Sequence, residues 1–209
     1  MRLRAAILAG LSAFVLSGCD VPGSKLPDST PQQVAAARYQ FPGPPALTLY
    51  TMINERSGAG AHSSIMINAP SQRVIFDPAG SVRAKNVPEL GDVLYGITPA
   101  VAKFYASAHA RETFSVRIQR IEVSPAVAEQ ALRIVQGYGK VGSAKCTVAT
   151  SGVLRQLPGF EGIRSTWFPN NLADQLARFP GVTETYLRED DSEDKSVAIA
   201  EFEAQAAGQ

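Results

Sequence analysis

The fold of this chain is decided by the stretch GAHSSIMINAPSQRVIFDPAG, residues 60–80, which contains two strand-like runs separated by a turn sequence. The runs HSSIMI (62–67) and RVIFD (73–77) are short, and rich in apolar and β-branched residues, as strands are. The residues between them, 68–71, are Asn, Ala, Pro and Ser, a composition that favours a turn. The sequence therefore predicts an antiparallel hairpin over this stretch.

The predicted hairpin would bring a histidine and a carboxylate together. If residues 68–71 form a four-residue loop, Ile67 pairs with Gln72, and counting back pairs His62 with Asp77. Directly opposed residues share one face of a sheet, with Cβ atoms about 5 Å apart. A carboxylate at that position can orient an imidazole and fix its tautomer. The alternatives are an exposed strand end for His62 and an ordinary Asp-Pro-Ala-Gly turn for Asp77.

A cysteine at the start of a predicted helix is the second candidate feature. Residues 142–157 read GSAKCTVATSGVLRQL, in which Ser143 is a suitable N-cap and Cys146 would be the third helical residue. The first turn of a helix has unpaired N–H groups and a partial positive charge, and both lower the pKa of a thiol. Cys146 therefore suits a nucleophile with His62 as its base, and the alternative is a small core residue.

The remaining elements follow from alternation and from capping signals. Strands are predicted over residues 47–54, 113–123 and 182–187. Helices are predicted over residues 31–38, 99–108, 125–136 and 169–178, each beginning at a proline that fits the first helical turn. The predicted class is α+β, with an antiparallel sheet and helices packed on one side of it.

The first nineteen residues have the character of an export signal. Two arginines precede an apolar run over residues 5–16, which is shorter than the ~20 residues that a membrane span needs. The run ends in Leu-Ser-Gly-Cys at residues 16–19, which resembles the lipobox of bacterial lipoproteins. The resemblance implies cleavage after residue 18 and a lipid on Cys19 that anchors the protein to a cell-envelope membrane, on the periplasmic side. Asp20 favours the inner membrane.

The mature chain is predicted to have three parts. Residues 19–46 are rich in Pro, Gly and Ser and form a membrane tether, residues 47–188 form the α+β domain, and the acidic residues 189–209 form a disordered tail. Removing residues 1–18 lowers Lys+Arg from 20 to 18 against 19 Asp+Glu, so the formal charge changes from +1 to −1. No basic surface remains to favour nucleic acid.

The chain order of the candidate residues resembles one branch of the papain-like proteins. A strand-borne His62, the polar Asp77 and a helix-borne Cys146 occur in an order similar to that of the circularly permuted NlpC/P60-type proteins, which include lecithin-retinol acyltransferase-like proteins and several bacterial lipoproteins. Residues 60–80 resemble their His hairpin, and residues 124–157 resemble their Cys-helix segment. The chain is also similar to the periplasmic domain of unknown function in some lipoprotein-modifying membrane proteins. The resemblance implies that Cys146 is the nucleophile, His62 the base and Asp77 the orienting group.

Three functions remain open from the sequence. The first is a thiol hydrolase or acyltransferase acting on peptide amides or acyl esters, for which the resemblance and the location imply peptidoglycan peptides, lipids or lipoproteins as substrates. The second is a catalytically inactive, lipid-anchored scaffold or binding protein of an envelope complex. The third is a metal site of His62, His109 and Cys146, although no paired ligand spacing supports it. His109 is expected to bond the last carbonyls of its helix. The sequence predicts no cofactor and identifies no protein partner.

Overall fold

The described part of the chain is an α+β fold built on one antiparallel sheet. The structure, a computed structural model, describes residues 27–208. Its strands are β1 (Ala46–Asn54), β2 (Gly60–Asn68), β3 (Arg73–Phe76), β4 (Glu89–Leu90), β5 (Val93–Leu94), β6 (Phe114–Glu122) and β7 (Thr183–Leu187). Its helices are α1 (Pro31–Ala36), α2 (Pro99–Ser107), α3 (Pro125–Gln136), α4 (Cys146–Leu154), α5 (Pro169–Leu176) and α6 (Lys195–Ala207).

The sheet has the strand order β4-β5-β3-β2-β1-β6-β7, and all its pairs are antiparallel. β1 is an interior strand and pairs with β2 on one side and with β6 on the other. Its side chains are buried on both faces over most of its length, because each face is covered by helices. The sequence predicts the three long strands to within one residue at most ends, but the short β4 and β5 carry no alternation and are absent from the prediction.

Helices cover both faces of the sheet, so the prediction that they lie on one side is wrong. Alternate residues of β1 point in opposite directions, with Leu47 and Leu49 in one core and Tyr50 and Met52 in the other. The first core is completed by α3, α4 and α5, and the second by α2 and α6. β1 carries apolar residues on both of its faces, as a strand buried on both sides does, so its sequence is compatible with a core on each face.

The predicted tether packs on the domain over its described residues. Thr30 caps α1 with both bonds of a capping box, and Ser29 N–H donates to the Glu89 carbonyl at 2.7 Å. Further along, Arg73 N–H donates to the Tyr39 carbonyl at 2.8 Å, which joins this segment to β3. Residues 27–45 are therefore held against the domain, and the role of residues 19–46 as a membrane tether stays a prediction. The predicted signal peptide and Cys19 lie outside the described residues.

The acidic tail is also ordered where the sequence predicts disorder. Asp194 caps α6 through a bond to Ser196 N–H, and Phe202 stacks on Phe104 of α2 with ring centroids 4.0 Å apart. Ile199, one turn earlier, packs against the same core. The composition of the tail conceals these two apolar residues, because small and charged residues surround them. No helix within residues 27–208 has the length and apolar character that crossing a bilayer requires.

Candidate active site

The predicted hairpin forms, but its register differs from the prediction by two residues. The turn lies one residue later than predicted, because Asn68 is still part of β2. As a result Ile67 pairs with Val74, and the predicted pairing of His62 with Asp77 is wrong. Side chains alternate with a period of two along a strand, so a shift of two residues still leaves His62 and Asp77 on the same face of the sheet, as predicted.

His62 lies beside a β-bulge near the start of β2. Met52 of β1 pairs with His62, while Ile53 pairs with Gly60, so Ala61 is an extra residue without a partner on β1. A bulge bends its strand locally and changes the direction of neighbouring side chains, which is why bulges are frequent beside functional groups.

His62 and Asp77 are in contact despite the changed register. His62 Nε2 lies 2.6 Å from Asp77 Oδ1, and only 5% of the carboxylate side chain is exposed. The Tyr105 hydroxyl lies 2.8 Å from the same oxygen and 2.6 Å from Ser64 Oγ. A hydroxyl has one proton, so Tyr105 donates to the carboxylate and accepts from Ser64. Sequence reasoning missed Tyr105 and Ser64, because no local pattern relates residues 28 or 41 positions apart.

The contact shifts the pKa of both partners. Burial alone would lower the pKa of His62, but the charge and hydrogen bond of Asp77, together with Cys146, raise it to about 9. Burial alone would raise the pKa of Asp77, but His62, His109 and the Tyr105 hydroxyl lower it to about 2. At neutral pH the pair is therefore a buried carboxylate bonded to an imidazolium.

Cys146 is the first residue of α4, not the third as predicted. Ala144 has a φ of +62°, in the left-handed region, so the chain cannot be helical from Ser143 onward. Lys145 takes the N-cap position and its side chain makes no capping bond. The N–H groups of the first helical turn, beginning with that of Cys146, therefore have no side-chain cap and can serve an incoming anion.

The open edge of β2 holds the thiol in place. The pairing of β2 with β3 ends at Ile65, so Ser63 has no neighbour on that side. The Ser63 N–H donates to the Cys146 sulfur, and its carbonyl accepts from the Thr150 hydroxyl at 3.4 Å. Ser63 Oγ also donates to Thr147 Oγ1 at 3.0 Å. The first turn of α4 thus bonds the edge of β2 where β3 no longer pairs with it, and these bonds hold the sulfur beside His62.

The Cys146 thiol is acidic because it lies next to the His62 imidazolium. Burial would raise the pKa of the thiol, but hydrogen bonding and charge from His62, with the Ser63 N–H, lower it to about 7. Nε2 of His62 is engaged by Asp77, which leaves Nδ1 as the ring nitrogen available to the sulfur. Between about pH 7 and pH 9 the thiol is ionised while the imidazole is protonated, so the two groups form an ion pair.

His109 contributes a second, neutral imidazole to the same region. Its Nδ1 bonds the Tyr105 carbonyl at 2.8 Å, which is the helix-end contact that the sequence predicts. The prediction does not include its position against His62, whose ring lies nearly parallel with centroids 6.0 Å apart. Burial lowers the pKa of His109 to about 3, so it stays uncharged at neutral pH. Within residues 27–208, no three His, Cys, Asp or Glu side chains are grouped so that they could hold a metal ion.

The arrangement contains the parts of a nucleophile, a base and an orienting carboxylate. The three sequence-predicted residues Cys146, His62 and Asp77 are brought together by α4, β2 and the turn after β3. No protein-family model, curated protein or solved structure matches the chain. The chemistry of the site is therefore inferred from its own geometry.

Proposed function

We propose that the protein is a thiol hydrolase or acyltransferase that acts on a peptide amide or an acyl ester in the bacterial cell envelope. The observation that carries the proposal is the contact of Cys146 with His62, whose ring is oriented by a 2.6 Å bond from Nε2 to Asp77. A thiolate is the nucleophilic form of cysteine, and pairing with an imidazolium makes it abundant at neutral pH.

In the proposed reaction the Cys146 thiolate attacks the substrate carbonyl and forms a tetrahedral intermediate. The uncapped N–H of Cys146 at the start of α4 is positioned to bond the resulting oxyanion. The His62 imidazolium then gives its proton to the departing amine or alcohol, and an acyl-enzyme thioester remains. Water, an amine or a hydroxyl next attacks the thioester, His62 takes its proton, and the thiolate leaves. Asp77 holds the ring and stabilises its charged form throughout.

The proposed fold type is papain-like, of the circularly permuted NlpC/P60 kind. Two features support this proposal. The antiparallel sheet carries the histidine on β2 and is followed later in the chain by the cysteine helix α4. The chain order His62, Asp77, Cys146 is the permuted order that the resemblance implies. Peptidoglycan peptides and acyl chains of lipids or lipoproteins are the substrate classes that follow from it.

The lipid anchor on Cys19 is part of the same proposal. It is supported by the apolar run and the Leu-Ser-Gly-Cys sequence of residues 5–19. In cells grown with a clickable fatty acid, the chain should be labelled and recovered with membranes. Cys19→Ala should abolish both the label and the membrane association. An unlabelled wild-type chain would contradict the anchor without bearing on the thiol chemistry.

The catalytic proposal is tested by trapping the acyl-enzyme. The chain carrying Cys19→Ser, in which Cys146 is the sole thiol, is mixed with p-nitrophenyl acetate near neutral pH. We expect a rapid release of nitrophenol in proportion to the protein, and mass spectrometry of peptides should place the acetyl group on Cys146. His62→Ala should suppress the burst, and Cys146→Ser should remove it. A wild-type chain with no burst and an unreactive Cys146 would favour the scaffold alternative.

A further inference from the structure

A small cavity adjoins His62. Apart from His62, the polar groups that line it have no part in the proposed thiol chemistry. Its volume is about 210 Å³, below the ~300–1,000 Å³ of pockets for drug-sized ligands, so it suits a group of about one amino-acid residue. The walls are formed by apolar and small residues of β1, β2, the turn after β3 and the start of β6. Polar groups come from His62, His109, Ser81, Glu193 and Lys195.

Lys195 supplies a cation to this cavity. It is the first residue of α6 and is partly buried, and its Nζ donates to Ser81 Oγ at 3.3 Å. It forms no ion pair with any other residue in the part of the chain that the structure describes. Burial lowers the pKa of the ammonium group, because a desolvated cation without a bonded counter-ion is penalised. Asp77 and Glu193 oppose this shift and Arg111 adds to it, and an anion bound beside Lys195 would oppose it further.

His109 supplies a hydrogen-bond acceptor to the same cavity. The residue is only 4% exposed, and its Nδ1–H donates to the Tyr105 carbonyl. Its burial keeps the ring neutral, so Nε2 carries a lone pair and can accept a hydrogen bond. Nε2 has no partner among residues 27–208, although the ring lines the cavity. Nε2 is not among the polar atoms that are sealed from solvent without a partner, so it is accessible from the cavity and can accept a hydrogen bond from a donor bound there.

The acidic segment before α6 builds one wall of the cavity. Glu193 Oε1 accepts from both the N–H and the hydroxyl of Thr113, at 2.8 and 2.6 Å. Earlier in the segment, Ser107 Oγ donates to Glu189 at 2.6 Å. These bonds hold the segment against the end of α2 and the start of β6, which places Lys195 at the cavity. The packing of the acidic tail on the domain therefore positions Lys195 for a bound ligand.

We infer that the cavity binds the carboxylate-bearing end of a peptide. The carboxylate bonds Lys195 and Ser81, the amide N–H of the last residue donates to His109 Nε2, and a small side chain contacts Met52 and Phe114. His62 is already paired with Asp77, so Lys195 is the lining cation without an ion pair within residues 27–208, and one such cation matches a monoanionic carboxylate better than a phosphate, which carries more charge. The inference rests on the proposed function and names its substrate. It selects a peptide over a lipid, because the His109 acceptor needs an N–H donor, which an acyl chain lacks. His62 lines the same cavity, so a bound peptide end would lie beside the proposed base.

The test uses the histidine signals of the protein. The chain has only His62 and His109, so the two imidazole spectra can be assigned by NMR. The protein is titrated with N-acetylalanine, with N-acetylalanine amide, which lacks the charge, and with propionate, which lacks the N–H. We expect N-acetylalanine to shift the His109 signals saturably, propionate to bind ~10-fold more weakly, and the amide not to bind. Lys195→Ala should weaken N-acetylalanine at least ~10-fold, whereas Lys195→Arg should retain it and the exposed Lys103→Ala should leave it unchanged.

Several outcomes would overturn the inference. These are no saturable shift of His109, equal binding of the uncharged amide, tighter binding of phosphate or decanoate than of N-acetylalanine, or retained affinity in Lys195→Ala. Far-ultraviolet circular dichroism shows whether each variant folds, and binding retained in Lys195→Arg shows that the charge at this position is what the ligand needs. Because this readout needs no reaction at Cys146, an inert thiol with normal N-acetylalanine binding would contradict the proposed function alone, and a reactive thiol without binding would contradict this inference alone.

Discussion

Replacing Asp77 by asparagine should raise the pKa of Cys146 although the two side chains need not touch. Asp77 is the group whose charge and hydrogen bond keep His62 protonated up to about pH 9. Asparagine removes that charge, and burial then keeps His62 neutral at pH 7. Without an imidazolium beside it, the thiol is left with the burial that opposes ionisation.

The size of the effect follows from the two thiol pKa values. At pH 7, a pKa of about 7 leaves about half of the thiol ionised, and a return to the ordinary 9.0 leaves about 1%, a ~50-fold loss of thiolate. The alkylation rate should fall less, by ~6-fold, because a more basic thiolate is intrinsically more nucleophilic, with a Brønsted coefficient of about 0.4–0.5. The inflection in the pH dependence is therefore a better readout than the rate at one pH.

The assay is the ultraviolet absorbance of the thiolate followed from pH 5 to pH 10 in the Cys19→Ser background, a range that begins about two units below the wild-type inflection and ends about one unit above the inflection expected for Asp77→Asn. The wild type should show its inflection near pH 7, and Asp77→Asn should show it about two units higher. Asp174→Asn is the matched control, because this exposed carboxylate pairs with Arg117 on another part of the sheet. An inflection that stays near pH 7 in Asp77→Asn would refute the reasoning.

The same substitution should change the pH dependence of stability. Asp77 has a pKa lowered from 3.8, so its stabilisation is present above that value and is lost as pH falls through about 2. His62 has a pKa raised from 6.5, so its stabilisation is complete below that value and is lost as pH rises through about 9. The difference in unfolding free energy between wild type and Asp77→Asn should therefore be largest between about pH 4 and pH 6.5.

The two partners give different magnitudes for this stabilisation. The shift of Asp77 corresponds to about 2 kcal/mol and that of His62 to about 3 kcal/mol. We expect about 2 kcal/mol, because the shift of His62 includes the Cys146 thiolate, which is a neutral thiol in that pH range. Urea unfolding at several pH values measures the difference, and a difference that is constant from pH 4 to pH 9 would contradict the ion pair.

Three further substitutions test the surroundings of the site. Tyr105→Phe removes a hydrogen bond to the Asp77 carboxylate and should cost about 1.5–3 kcal/mol in urea unfolding. Gly80→Ala places a methyl group on the Asp77 carboxylate, so it should raise the thiol inflection, and an unchanged inflection would show that the carboxylate position is not critical. Phe202→Ala removes the ring stacked on Phe104 and should cost about 1–2 kcal/mol, less than for a fully buried Phe because Phe202 is only partly buried. The same change should expose α6 to protease, and protection equal to the wild type would contradict the docking of α6.

The sequence predicts which elements and residues form the site, but it does not predict the register that positions them. Alternation and capping signals are local, so the hairpin, the long strands and the proline-started helices are found at nearly their observed bounds. The register of the hairpin is not local, because it depends on whether Asn68 belongs to the strand or to the turn. Asn68 Nδ2 bonds the carbonyls of Gly43 and Pro44, a contact that no pattern in the hairpin itself reveals.

The groups that the sequence missed are supplied by distant segments. Tyr105 of α2 and His109, just after α2, reach the site from the second face of the sheet, and the sequence predicts helices on one face only. The start of α4 was misplaced because Ala144 adopts a left-handed conformation that alanine rarely takes. Lys195 belonged to a segment whose composition predicts disorder, although two apolar residues of α6 are enough to dock it.

The central claim is that Cys146 and His62 form an ion pair at neutral pH, and the pKa of His62 tests it most directly. NMR of the two imidazoles from pH 4 to pH 10 measures it, because this range lies on either side of the ordinary histidine value of 6.5. The account predicts that His62 loses its proton near pH 9, that His109 stays neutral throughout, and that Cys146→Ser lowers the pKa of His62. A His62 that titrates near pH 6.5, unchanged by Cys146→Ser, would contradict the ion pair and with it the thiol chemistry.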